Sequence, residues 1–289
     1  MSTAKTDVVE RIFEKLWHAA TNELSRSIVT LTDVQEAIRE HNQAHASAKL
    51  SDKNPANFFK DFIRNRQRAN ANWPESLKKR GFTARQLTGE NACFEFICLP
   101  HGQSEPFPNK IRDPSEEDAV YKIESASLPL ASRRLGRKDE PWLVQVLVRL
   151  RVIETHLSVH SLRRNRIVQV DHRQMSVKQR KTEIDALFLV VEQKEGGTTE
   201  EIILCCEAKG RRDDILEDQA LQQAKTVFKL AGVTQDIVIP IVAKAFAPSK
   251  IYIVEFAPLR REDAEKTDAL TVASKAVYEL LPPVPGIGK

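Results

Sequence analysis

The sequence lacks long apolar stretches, closely spaced cysteine pairs and the glycine loop that binds ATP phosphates. No apolar run reaches the roughly eighteen residues that a membrane span needs, so we expect no membrane partner. Its four cysteines, at positions 93, 98, 205 and 206, have no CxxC spacing, and we expect reduced thiols in a cytoplasmic protein. Without a phosphate loop, a nucleotide cofactor and an ATP-driven motor are excluded. We also expect no histidine pair at a metal-ligand spacing.

The chain of 289 residues has room for two domains. Its net charge is only +4, but the basic residues are clustered. The clusters are Arg64, Arg66 and Arg68; Lys78, Lys79, Arg80 and Arg85; and Arg163, Arg164, Arg166, Arg173, Lys178, Arg180 and Lys181. Such clusters would hold a polyanion, although solvated surfaces carry similar runs.

Residues 1–100 predict three helices followed by a hairpin. The helices are expected at 8–20, from Thr32, and from Asn54-Pro55; the strands at 82–87 and 92–99 flank a turn at 88–91. This order is typical of a winged-helix-like DNA-binding domain, whose third helix enters the major groove. Asn57, Lys60 and Arg64 would then face DNA, opposite a row of phenylalanines. The alternative is a small helical domain with a hairpin that contacts only protein.

Residues 101–140 are rich in proline, serine and charge, which predicts a linker. From residue 141 to 289 the pattern predicts a helix at 142–157, strands at 182–192 and 201–209, and a helix at 215–230. Strands at 236–242 and 251–256 and a final helix at 264–281 would follow. We expect an α/β (α+β) fold in which helices flank both faces of a mixed sheet.

Charged residues end the second strand of this predicted hairpin. Glu207 and Lys209 share one face because side chains alternate along a strand, and Asp185 lies opposite them on the partner strand. Two neighbouring carboxylates repel unless a cation joins them. Mg²⁺, or Mn²⁺ in its place, suits such ligands, and the carbonyl of Ala208 would add another. Lys209 would orient the attacking water; the alternative is a surface salt bridge.

Asp185, in Glu-Ile-Asp, followed on the next strand by Cys-Glu-Ala-Lys-Gly at 206–210, resembles the PD-(D/E)xK nuclease superfamily over residues 140–260. The resemblance implies a restriction-endonuclease-like fold with Asp185, Glu207 and Lys209 as catalytic residues. It also implies a helix glutamate, for which Glu154 is the first choice and Glu140 the second. Glu154 could instead form a salt bridge to Arg151 or Arg163. The resemblance further implies that the next helix places a glutamine near the site, and Gln219 and Gln223 are chosen over Gln222. These two glutamines, with Arg211 and Arg212 after the motif, are the proposed DNA contacts.

The resemblance leads to a type II restriction endonuclease that cuts double-stranded DNA at a specific site. Such enzymes act as homodimers in which each subunit cuts one strand, so the family implies a homodimer here. Two alternatives remain open. A repair nuclease or junction resolvase would keep the same residues without base-specific recognition, and a non-catalytic DNA-binding regulator would use the carboxylates in salt bridges.

Overall fold

The computed structural model describes residues 3–47, 49–87, 91–108, 111–115, 118, 120–134, 136–179 and 182–288, with side chains outside 174–179 and 182–183. The chain forms two compact units, Met1–Lys110 and Ile111–Lys289. Within the described part, no helix is both long enough and apolar enough to cross a bilayer. All four cysteines are free thiols. The predicted turn at 88–91 lies largely outside these residues, as do Arg180 and Lys181.

Unit 1 consists of short helices and three small antiparallel strand pairings. Its elements are α1 (Ala4–Leu16), β1 (Trp17–His18), β2 (Glu23–Leu24), β3 (Ile28–Thr30), α2 (Leu31–Ala44), α3 (Phe58–Ile63), α4 (Arg66–Asn72), α5 (Glu75–Lys79), β4 (Phe82–Gln86) and β5 (Ala92–Cys98). Strand β5 lies between β3 and β4, while β1 pairs with β2. The predicted hairpin, β4 and β5, is confirmed.

The first two helices begin earlier than predicted: α1 runs over Ala4–Leu16 and not over 8–20, and the cap of α2 is Thr30 and not Thr32. Thr3 and Thr30 cap α1 and α2, and in both cases the residue three positions later bonds back to the cap. The third predicted helix is split: a 3-10 turn at Pro55–Asn57 leads into the six-residue α3. Aromatic stacking explains why so short a helix is held, since Phe59 stacks on Phe94 of β5 with ring centroids 4.5 Å apart.

Unit 2 is built on a single mixed sheet. Its elements are β6 (Val120–Glu124), α6 (Leu130–Arg134), α7 (Glu140–Arg149), α8 (Val152–Val159), β7 (Ile167–Gln179), β8 (Thr182–Gln193), β9 (Thr199–Lys209), α9 (Glu217–Val227), β10 (Ile237–Ala247), β11 (Lys250–Phe256), β12 (Leu259–Arg260) and β13 (Val272–Leu281). The strand order is β6-β13-β11-β10-β9-β8-β7, and β12 pairs with β10. The pairs β9–β10 and β6–β13 are parallel, and the others are antiparallel.

Helices cover both faces of this sheet, as the sequence predicted. On one face, α7 and α8 pack through Leu147 and Leu157 against alternate residues of the central strands, such as Leu204. On the other face, α9 packs through Leu221 against the residues between them, such as Ile203. The central strands are therefore buried on both sides, which agrees with their nearly continuous apolar sequences.

The final helix predicted at 264–281 is wrong, because β13 occupies Val272–Leu281 and pairs with β11. Tyr278 packs towards α7 and α8, whereas Val277 packs on the opposite face. Because apolar residues of β13 are buried on both faces, apolar and polar residues do not alternate along it. Its sequence pattern therefore favoured a helix.

The helix predicted at 142–157 is two helices. Arg151 adopts a left-handed conformation with φ of 51°, and this separates α7 from α8. Because the apolar spacing continues across the break, periodicity alone does not reveal it.

The stretch at 101–140 is not a continuous linker. Phe107 is buried in the aromatic core of unit 1, whereas β6 pairs with β13 in the sheet of unit 2. The boundary between the units falls at residues 110 and 111. Proline and charged residues predicted a segment without regular structure here. Such a segment can pack against a core as well as lie in solvent.

Candidate active site

Strand β9 carries two charged side chains into a nearly closed environment at its carboxyl end. Glu207 is only 5% exposed and Lys209 only 6% exposed. Both follow Ile203 and Cys205 on the strand face that α9 covers. Lys209 Nζ donates to Glu207 Oε1. The salt bridge expected as an alternative therefore exists, but it is buried and not on the surface.

Asp185 meets this pair at the point where the β8–β9 ladder stops. The last paired residues are Ala186 and Cys206, so the register places Asp185 beside Glu207. The backbone N–H of Ala208 donates to Asp185 Oδ2 at 2.8 Å. The three residues proposed as catalytic from the sequence thus lie together, at the rim of the sheet.

Asp185 is in an unfavourable electrostatic environment. Burial first, and then the negative charges of Glu207 and Glu140, raise the pKa of Asp185 to about 8. The hydrogen bond from Ala208 and the charge of Lys209 oppose this rise. At neutral pH the isolated site therefore favours a protonated Asp185, and a second cation beside it would restore the carboxylate.

Glu207 is held by three donors. Besides Lys209, the side-chain amides of Gln219 and Gln223 donate to its two carboxylate oxygens, one to each. The two glutamines lie one turn apart on α9, so they approach Glu207 from the same face. The prediction that a glutamine of this helix lies near these residues is confirmed. The predicted DNA contact is corrected for Gln223, which is 2% exposed, and the amide of Gln219 is hydrogen-bonded to Glu207.

Glu140, and not Glu154, is the helix glutamate that reaches the site. Glu140 stands in the first turn of α7, and its charge acts on Asp185. Glu154 lies on α8, where burial raises its pKa and the charges acting on it are Arg151 and Asp171. Its proposed partner Arg163 instead pairs with Glu192. Glu154 was predicted from the apolar spacing of one continuous helix, but the break at Arg151 places Glu154 on a separate helix, α8.

No protein-family model, curated protein or solved structure matches this chain. The site is consequently interpreted from its own geometry. The donors at the rim are carboxylate oxygens from Asp185 and Glu207. In an extended strand, the N–H and C=O of one residue point towards the same neighbour, so the carbonyl of Ala208 also faces Asp185. Hard oxygen donors of this kind fit Mg²⁺ or Mn²⁺.

A second buried lysine lies next to Lys209. Lys244 is opposite Lys209 in the parallel register of β9 and β10 and is 2% exposed. Its Nζ is 2.6 Å from Oδ1 of Asp113, a side chain that is half exposed. Lys244 could not be predicted, because it stands within an apolar strand without a motif and its partner Asp113 is 131 positions away.

The loop after β9 continues the site towards solvent. A small cavity is lined by residues of this loop, of α7 and of the chain end, among them Glu140, Lys209 and Arg211. Arg211 and Arg212 are both exposed, and Arg211 also donates to the carbonyl of Gly288 at 3.2 Å. Glu140 and Lys209 thus line the same small cavity.

The residues proposed for base recognition lie in unit 1. Lys60 and Arg64 are exposed, and Asn57 ends the 3-10 turn that precedes α3. The opposite side of α3 is buried through the phenylalanines expected there, Phe58, Phe59 and Phe62. The amphipathic character of this helix is therefore confirmed; its contact with DNA stays a prediction.

Proposed function

We propose that this protein is a Mg²⁺-dependent endonuclease that hydrolyses phosphodiester bonds in double-stranded DNA. The observation that carries the proposal is the convergence of Asp185 and Glu207 beside Lys209 at the carboxyl end of β9. A purely structural trio would leave its charges balanced. Here two carboxylates lie beside one lysine, and the raised pKa of Asp185 supports a further cation as its missing partner.

Asp185, Glu207 and the carbonyl of Ala208 would hold the cation. When bound, the cation lowers the pKa of its water and polarises the phosphoryl oxygen. Lys209 Nζ, buried beside Glu207, orients the attacking water. The water oxygen bonds to phosphorus as the bond to the 3′ oxygen breaks, which leaves a 5′-phosphate and a 3′-hydroxyl. Gln219 and Gln223 fix the rotamer of Glu207.

Glu140 and Lys244 would complete the charge distribution around the scissile phosphate. Glu140 adds a third carboxylate to the same edge and would hold a water of the cation's shell. Lys244 is a buried cation whose partner, Asp113, is half exposed and therefore free to exchange with solvent. A DNA phosphate that replaced Asp113 would lie two strands from Asp185, beside Lys209.

We further propose that unit 1 is a winged-helix-like module and that the whole is a type II restriction endonuclease acting as a homodimer. Support comes from the helices α1 to α5, which precede the β4–β5 hairpin. The exposed Lys60 on α3, and the exposed Arg64 that directly follows this helix, suit contact with the major groove. A module that reads bases, joined to a cleaving core, is what site-specific cutting requires.

Incubation of the full chain with unmethylated phage DNA and Mg²⁺ tests the proposal. Discrete fragments are expected, and sequencing of their ends would give the site. The Asp185→Asn variant keeps an acceptor for the Ala208 N–H, yet it should lose at least about 10³-fold in cleavage rate. A smear that depends on Asp185 would indicate a repair nuclease or resolvase. DNA binding without Mg²⁺-dependent cleavage would leave only the non-catalytic regulator and defeat the nuclease assignment.

A further inference from the structure

Two histidines in unit 1 stand one helical turn apart at the end of α2. His41 lies in the last turn, and His45 is the residue that ends the helix. Their rings stack with centroids 4.7 Å apart and planes inclined by 20°. The spacing of four residues directs both rings to one side of the helix. The expectation that no histidines are spaced as metal ligands is therefore wrong.

An aspartate of α1 faces the same point. Asp7 Oδ2 is 2.6 Å from His41 Nδ1. One ring nitrogen of each histidine and one carboxylate oxygen of Asp7 all lie within 4.8 Å of one another. Two donors about 2.1 Å from a shared ion are at most about 4.2 Å apart, so a small side-chain rotation would close the set.

We propose that Asp7, His41 and His45 form a binding site for a divalent transition metal of the zinc class. Imidazole nitrogens suit Zn²⁺, Co²⁺ and Ni²⁺, whereas Mg²⁺ requires oxygen ligands. Three protein ligands leave a fourth position for water. His45 is exposed and gives the metal a route in from solvent, while His41 is 3% exposed and anchors the site.

A competing cation already contacts the aspartate. Arg11 Nε donates to Asp7 Oδ2 at 2.6 Å, from one turn further along α1. A bound metal would displace this guanidinium from the shared oxygen. Removal of Arg11 should consequently tighten metal binding, an effect that a plain hydrogen-bonded cluster would not produce.

The metal would join the amino-terminal part of α1 to the carboxyl end of α2. Binding to the folded state alone stabilises that state in proportion to ln(1 + [metal]/Kd). Because the ligands and the preferred ion differ from those at Asp185 and Glu207, this site does not depend on the proposed nuclease function.

The test uses tag-free full-length protein carrying Asp185→Asn and Glu207→Gln, so that metal bound at the rim of the sheet is not counted. Titration with Co²⁺, followed by visible absorption, and with Zn²⁺, followed by calorimetry, should show one equivalent bound. Added Zn²⁺ should also raise the thermal unfolding midpoint. His45→Ala should weaken binding at least about tenfold and abolish the Zn²⁺-dependent rise in midpoint.

Matched variants separate the outcomes. His101→Ala removes an exposed loop histidine and should leave Zn²⁺ binding unchanged. Arg11→Met should tighten binding several-fold. The proposal is overturned if the protein binds no Co²⁺ or Zn²⁺, or if His45→Ala binds Zn²⁺ as tightly as its parent. Since His45 is exposed, its replacement should not alter unfolding in the absence of metal, and that measurement establishes that the variant is folded.

Discussion

Two carboxylates in the sheet of unit 2, Glu255 and Asp185, have opposite environments. Glu255 on β11 is 1% exposed, and burial alone would raise its pKa. Hydrogen bonds involving His156, Ser274 and Ser161 outweigh that effect, and the pKa of Glu255 lies below its ordinary value. The pKa of Asp185, by contrast, is raised to about 8. The surrounding protein stabilises the ionised form of Glu255, whereas it disfavours the ionised form of Asp185.

The contacts explain this difference. Ser161 Oγ and Ser274 Oγ donate to the two oxygens of Glu255 at 2.8 and 2.6 Å. His156 Nε2 is 2.8 Å from Ser274 Oγ, and its Nδ1 is 3.1 Å from the hydroxyl of Tyr278. Asp185 accepts a backbone hydrogen bond from Ala208 and is acted on by the charges of two other carboxylates, Glu207 and Glu140. A buried carboxylate whose hydrogen bonds are all made, such as Glu255, is typical of a structural role. A carboxylate whose neighbours disfavour its charge, such as Asp185, is more typical of a functional site.

The largest expected effect on stability is at the satisfied carboxylate. Glu255→Gln keeps the volume but removes the charge that Ser161, Ser274 and His156 surround. We expect a loss of about 2–4 kcal/mol in the free energy of unfolding, measured by urea denaturation. Asp185→Asn should cause no such loss without metal. If both variants behaved alike, the distinction between the two carboxylates would fail.

A smaller effect should appear at the groups that hold Glu207. Gln223→Met keeps the side-chain length but removes the amide that donates to Glu207 Oε2. Cleavage should fall about 10- to 100-fold, with a weaker apparent affinity for Mg²⁺. Gln222→Ala, the neighbouring position on α9, serves as the control and should retain activity. Equal losses in both variants would mean that α9 acts through packing alone.

Much of unit 2 could be predicted because its strands differ sharply from their surroundings. Apolar runs, a glycine turn and helical spacing predicted the β8–β9 hairpin and α9. The hairpin in turn predicted that Asp185, Glu207 and Lys209 lie close together. The residues that other elements bring to this site could not be predicted. Glu140 reaches the site because α7 begins at the end of β9, and Lys244 because β10 is parallel to β9. Such proximity depends on tertiary packing, which single-sequence periodicity does not record.

The pH dependence of stability should also differ between the two carboxylates. A folded-state pKa raised from 3.8 to about 8 means that the folded protein keeps a proton the unfolded chain has lost. Without metal, stability should therefore fall as pH rises from about 4 to about 8. For Glu255, whose pKa is lowered, stability is present above the unfolded pKa and is lost on acidification.

Thermal unfolding in EDTA measures this contrast. Asp185→Asn should be more stable than the parent at pH 8 and nearly equal to it at pH 4. Added Mg²⁺ should stabilise the parent and leave the variant unchanged. If the difference in stability between parent and variant did not vary with pH, the pKa of Asp185 would not be raised in the folded protein.

The smallest effect should come from a buried acid that lies outside both networks. Glu154 has a raised pKa, from burial first, and one of its oxygens, Oε2, lacks a hydrogen-bond partner among the described residues. A raised pKa alone therefore does not identify a catalytic group; the charges that act on the acid must also converge on a reacting centre. Glu140 meets this second condition through Asp185, and Glu154 does not. We expect Glu154→Gln to change the cleavage rate by less than about twofold and Glu140→Gln to lower it about tenfold or more. The reverse result, from rates measured side by side on one DNA substrate, would restore Glu154 to the site and show that α8, not α7, supplies its third acid.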